Sequence, residues 1–109
     1  FVIAPAVERK IGVGGLAELT LAATEWKNAY WAKEKGLYAR VFENVKDLDK
    51  EIEIFSGKLA GYNPDALYEM KKVLWEGTEN WDKLLAERAA ISGKLVLSDF
   101  TRKALSTFK

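Results

Sequence analysis

Several groups of residues in this 109-residue chain have types and spacings on which chemistry could be built. Gly12-Val13-Gly14-Gly15 is glycine-rich, as phosphate loops are, because bare backbone N–H groups can approach an anion closely. It lacks the Gly-x-Gly-x-x-Gly spacing, a preceding strand and the Gly-Lys-Ser/Thr of a P-loop, and it reads as a flexible joint between helices. Glu51 with Glu53, and Glu69 with Glu76, are carboxylate pairs of the kind that perform acid/base work. Nothing in the pattern gathers either pair into a cleft, so solvated helix charge is the expected role. Glu8 follows an apolar opening and would become a base of raised pKa if buried there. Arg9 and Lys10 beside it favour an exposed position. Lys94, Arg102, Lys103 and Lys109 would complement phosphates, but cations near helix C-termini also suit the macrodipole. Trp26, Trp31, Trp75 and Trp81 are expected between helices or across an interface rather than around a ligand.

The composition narrows these options. With no histidine and no cysteine, the Ser-His, Cys-His, thiolate and His- or Cys-metal arrangements are absent from the sequence, as is any disulfide. Seventeen Lys and Arg against sixteen Asp and Glu leave a net charge of +1, which gives no reason to expect nucleic acid or an anionic membrane as partner. No apolar run approaches the roughly 20 residues that span a bilayer. The opening Phe1-Val2-Ile3-Ala4-Pro5 is apolar and lacks Met, and the charges of Glu8, Arg9 and Lys10 follow too soon for a signal peptide. It reads as a segment from within a longer chain, and a reducing, cytoplasmic setting fits the missing cysteines. The length suits one small domain. Four Trp, four Tyr and five Phe are hard to hide in so small a helical body, so some should sit at an interface.

The elements that must position these residues are mainly helical. Pro5 suits a first turn, and Ala4 to Ile11 reads as a short helix closed by Gly12; Leu16 to Ala23 follows the joint. Thr24 as cap predicts a helix from Glu25 to Lys35, ended by a left-handed Gly36. Leu37 to Phe42 has β-rich content and predicts one short strand. Leu48, Ile52, Phe55 and Leu59 make an apolar stripe on a helix from about Lys46 to Ala60. Asn63-Pro64 is the clearest helix start, with Leu67, Met70 and Leu74 expected inward and Gly77 as the stop. Thr78 predicts the next cap, for a helix carrying Trp81, Leu84, Leu85 and Ile91 and closed by Gly93; Ser98 caps the last. The last four helices are expected to pack as an irregular cluster.

The order of short segments carries a resemblance. Val7-Glu8-Arg9-Lys10-Ile11-Gly12, Leu16-Ala17-Glu18-Leu19-Thr20-Leu21, Ala29-Tyr30-Trp31-Ala32 and Gly36-Leu37-Tyr38-Ala39-Arg40-Val41-Phe42 follow one another. Then come Asn63-Pro64-Asp65-Ala66-Leu67, Met70-Lys71-Lys72, Leu84-Leu85-Ala86-Glu87-Arg88 and Ser98-Asp99-Phe100-Thr101. Together they resemble the C-terminal portion of the enoyl-CoA hydratase/isomerase (crotonase) superfamily, with Tyr38 where a Val is usual. Short enoyl-CoA or methylglutaconyl-CoA hydratase-like members are nearest in pattern. The resemblance implies that residues 1–45 end a crotonase-like spiral core and residues 46–109 form a helical covering and oligomerisation region. It implies an acyl-CoA substrate for the parent protein and a homo-oligomer, trimer or hexamer. It also implies that neither an organic cofactor nor a metal is needed. Both oxyanion-hole donors and both catalytic carboxylates would precede Phe1, leaving no catalytic residue here. Phe1, Val2, Ile3, Ala4 and Pro5 would line the acyl pocket, and Phe108 and Lys109 would lie near CoA. The competing expectation is a stand-alone helical protein-interaction module without activity.

Overall fold

A computed structural model describes residues 1–108. Six helices follow in order: α1 (Ala4–Leu21), α2 (Ala29–Lys35), α3 (Val45–Ala60), α4 (Pro64–Leu74), α5 (Trp81–Val96) and α6 (Asp99–Leu105). Helix accounts for 69% of the chain, which makes the fold mainly α as expected.

Local signals set most boundaries. Asn63 accepts hydrogen bonds from the N–H groups of Asp65 and Ala66, and Pro64 takes the first helical position. Ser98 accepts from Thr101, with Asp99 in the first turn of α6. Gly36 ends α2 at φ 88°, a left-handed conformation that a Cβ would disfavour. In α3 the side chain of Asn44 accepts from the Asp47 N–H and donates to the Asp47 carboxylate, so two groups of the first turn are satisfied at once.

Several expectations are corrected. Leu37 to Phe42 forms no strand; among the described residues no extended neighbour is present to share a hydrogen-bond ladder, and β-rich content alone cannot make one. The N–H groups of Leu37 and Tyr38 instead donate back to the Ala32 carbonyl. The break in α1 falls at Gly12 alone, with φ 74° and ψ 172°, while Val13, Gly14 and Gly15 are helical. The second helix starts four residues later than expected because Asn28, not Thr24, bonds the Trp31 N–H. Helix α4 stops at Leu74, and the left-handed residue Gly77 belongs to the turn that follows. Thr78 donates to the Trp75 carbonyl within that turn instead of capping α5. Gly93 lies inside α5, which runs on to Val96; Lys94, Leu95 and Val96 all tolerate helix, and the cost of one interior glycine is about 1 kcal/mol.

Packing between the helices is sparse. The radius of gyration is 18.6 Å, against about 13 Å for a compact chain of this length. The accessible surface of 9333 Å² is about half as much again as a folded monomer of this mass exposes. Only Gly15 and Ala32 are buried among the described residues. The apolar stripes exist, but they face outward: Leu48, Ile52, Phe55, Met70, Leu74 and Ile91 are all exposed. The expected cluster of the last four helices does not form a core; α6 packs on α5, where the Thr101 hydroxyl donates to the Leu95 carbonyl at 2.9 Å.

The glycines give a stability test. At Gly12 the backbone occupies a region that only glycine enters readily, so Gly12→Ala is expected to cost about 1–3 kcal/mol although its side chain meets open space. Gly57→Ala and Gly93→Ala, in helical backbone with open space at both positions, should each stabilise by roughly 0.5–1 kcal/mol. Urea titrations followed by helical circular dichroism measure all three; a neutral or stabilising Gly12→Ala would remove the kink from the account.

Candidate functional site

The polar side chains gather in three places. In the first, Arg9 on the exposed side of α1 reaches across to the end of α4. Its Nη2 donates to the Leu74 carbonyl at 2.7 Å and to the Glu76 carbonyl at 2.6 Å. The Leu74 carbonyl belongs to the last turn of α4, which has no intrahelical donor, so the guanidinium supplies the missing bond and complements the negative end of the dipole. On the same turn the Gly77 and Glu79 N–H groups hold the Glu79 carboxylate below the usual range, with Arg9 adding a smaller pull in the same direction. Trp75 and Trp81 meet edge to face beside Arg9, with ring centroids 5.8 Å apart. Two clefts flank the contact. One, of about 320 Å³, runs between Pro5, Glu8, Arg9, Asn80, Trp81 and Leu84; the other, of about 410 Å³, lies among Ala6, Arg9, Lys10, Leu74, Trp75 and Trp81.

The second place joins the latter half of α1 to α2. Lys27 bonds the Glu18 carboxylate at 2.9 Å, lies 3.5 Å from Glu25, and sits 5.6 Å from the centre of the Trp31 ring. Its side chain is only 18% exposed, so its stem packs against the helices while its charge is shared. The hydrogen bond lowers the Glu18 pKa and raises that of Lys27.

The third place is an open, mainly apolar cleft of about 420 Å³ between the loop after α2 and the start of α3. Leu37, Tyr38, Phe42, Leu48, Ile52 and Phe55 line it. Arg40 lies 5.1 Å over the Phe55 ring and pairs with Glu51. Close by, the Tyr30 hydroxyl donates to Glu43, whose charge and hydrogen bond raise the tyrosine pKa.

None of these places holds a nucleophile with an activating base, and no group of carboxylates among the described residues has the geometry of a metal site. Glu51 pairs with Arg40 and Glu69 with Lys72 at 3.1 Å, while Glu53, Glu69 and Glu76 are exposed, the solvated role expected of them. Glu8 is exposed, as expected from Arg9 and Lys10, and borders the Trp81 cleft. Of the five acyl-pocket candidates, Phe1, Val2 and Ile3 are exposed, while Ala4 and Pro5 are half-buried; Pro5 alone lines the Arg9–Trp81 cleft. Phe108 is 81% exposed beyond α6, and Lys109 lies outside the described residues. Trp26 is 99% exposed and Trp75 largely so, whereas Trp31 and Trp81 are half-buried. No helix of the described residues is long and apolar enough to cross a membrane.

The long-range role of Arg9 is the main feature that sequence reasoning missed. An arginine that caps a helix 65 residues away leaves no local pattern. The caps of Asn28 and Asn44 were open to inspection, since each Asn immediately precedes a helical run. Comparison with family models, with curated proteins and with solved structures gives no match.

The Glu18–Lys27 pair gives a pH test. The folded pKa of Glu18 is depressed, so its stabilising contribution is present above the ordinary carboxylate value of 4.5 and fades as pH falls through the lower folded value. The folded pKa of Lys27 is raised, so its contribution is present below 10.5 and fades as pH rises through the higher folded value. An NMR titration should place the Glu18 carboxyl midpoint below 4.5, and Lys27→Met should return it upward. A midpoint that ignores the substitution means that the pair does not form in solution.

Proposed function

We propose that this chain is the C-terminal helical segment of a crotonase-type acyl-CoA enzyme, and that it covers the acyl site and joins subunits without supplying a catalytic group. The single observation that carries this reading is the exposure of large apolar side chains along α3, α4, α5 and α6, with only Gly15 and Ala32 buried. A chain that leaves such faces to water is completed by another polypeptide surface, because an apolar face gains free energy only when it is covered. The order of the Val7–Gly12, Gly36–Phe42 and Asn63–Leu67 segments supports the crotonase family as the source of that surface. Under this reading the acyl-CoA is bound by the assembled homotrimer or hexamer. Phe1 to Pro5 then lie against the acyl chain, and Phe108 with Lys109 near CoA.

A second reading rests on the same exposure: a helical module that binds a different protein and has no enzymatic parent. The two differ in what completes the apolar faces. Denatured and native masses of the protein purified from its natural source, followed by a crotonyl-CoA hydration assay, separate them. A denatured mass well above 12.3 kDa, a trimeric or hexameric native mass and hydration activity support the first reading. A 12.3 kDa chain in complex with an unrelated protein, without activity, supports the second. The isolated 109-residue chain is expected to show no turnover, and turnover by the pure chain would defeat the assignment of catalysis to residues outside it.

A further inference from the structure

We propose that Arg9 and Gly12 form a clasp and a hinge, through which the corner between α4 and α5 moves as one body with the first half of α1. The second body is the latter half of α1 with α2. This inference rests on geometry alone and stands or falls independently of the crotonase reading.

The division follows from where the bonds lie. On one side of Gly12, the Arg9 guanidinium holds the carbonyls of Leu74 and Glu76, and Ala6 and Pro5 share clefts with Trp75 and Trp81. On the other side, Glu18 holds Lys27, and Leu19 shares a cleft with Trp31, Ala32 and Leu37. Between them Gly12 leaves helical geometry, at φ 74° and ψ 172°, inside an otherwise continuous α1. A Cβ at Gly12 would meet nothing within 4 Å, so neighbouring atoms do not wedge the bend. At Gly12 itself no side chain blocks rotation, and the backbone preference of glycine is broad.

Two close approaches mark the pivot. The Ile11 side chain lies over Gly15, so near that an added Cβ would come within 2.7 Å of it. The Lys10 carbonyl faces Gly36, 3.5 Å from where a Cβ would stand. Both lie beside Gly12, where rotation displaces atoms least. The other covalent path between the bodies runs from α2 through the loop that precedes α3, then α3 and α4.

The chain has no cysteine, so spin labels can be placed freely in pairs. Ile3→Cys with Lys83→Cys measures within the proposed clasped body; Leu21→Cys with Lys83→Cys measures across the hinge. All three sites are exposed. Pulsed dipolar spectroscopy on the 109-residue chain should give a narrow Ile3–Lys83 distribution and a clearly broader Leu21–Lys83 one. Arg9→Met should broaden the first at least twofold. Gly12→Ala should shift or narrow the second and spare the first. Equal widths across and within the bodies would overturn the hinge, and an Ile3–Lys83 width indifferent to Arg9→Met would overturn the clasp. If Gly12→Ala loses its helical circular dichroism, the unsubstituted chain and Arg9→Met still decide both points. Gly15→Ala offers a further check, since displacing Ile11 at the pivot should move the Leu21–Lys83 mean.

Discussion

The contact that joins α1 to the α4–α5 turn depends on one guanidinium. Arg9 joins α1 to a turn 65 residues further along, and its two hydrogen bonds end on carbonyls that the helix and turn cannot satisfy themselves. In a well-packed domain such a contact would be a minor addition to a hydrophobic core. Here there is hardly a core to add to, so a directional polar contact does what apolar burial usually does. Polar contacts at a wet surface are worth about 1 kcal/mol, far less than a buried side-chain cluster provides. The arrangement they fix is therefore marginal, and a covering surface would raise its stability as well as hide its apolar faces.

The helices themselves have a different footing. Isolated helices shorter than roughly 12–15 residues are marginal in water, and α2, α4 and α6 all fall below that length. Capping makes up part of the difference. Asn28, Asn44, Asn63 and Ser98 each satisfy at least one first-turn N–H, and Asp47, Asp65 and Asp99 place negative charge at positive helix ends. Basic residues stand in the last turns of α2, α3, α4, α5 and α6. Local chemistry thus encodes the helices more fully than tertiary contacts do. That is the pattern expected of elements whose apolar faces find their partner outside the chain.

This division also explains what could be read in the sequence and what could not. Asn63-Pro64, Ser98-Asp99 and Gly36 act within one turn, and they stand where local reasoning puts them. The Leu48–Leu59 stripe is helical as its period requires, yet period says only that a face is apolar, not that this chain buries it. The strand over Leu37–Phe42 failed for a related reason: a strand exists only beside another, and no propensity supplies the neighbour. Gly12-Val13-Gly14-Gly15 marked the right region for a break but not its position, because glycine permits a left-handed backbone without requiring one. The partner of Arg9 had no local signature at all. For the candidate site, the sequence excluded histidine and cysteine chemistry outright, while the pairing of Glu51 with Arg40 and of Glu18 with Lys27 needed three dimensions.

The distribution of aromatic residues bears on how the faces are covered. Trp75 and Trp81 meet each other beside the Arg9 contact, and Trp31 is half-buried beside Lys27. These rings are already engaged within the chain. Trp26, Phe100 and Phe108 are not; each stands almost wholly in water, and each lies at or near a helix end rather than in the middle of a stripe. Large rings at helix ends suit insertion into separate pockets, beside the apolar stripes that α3 to α5 expose. A surface that completes this chain would then meet anchor points before α2 and around α6, and the open cleft between Tyr38, Phe42 and Phe55 would receive a ring or aliphatic side chain from it in return.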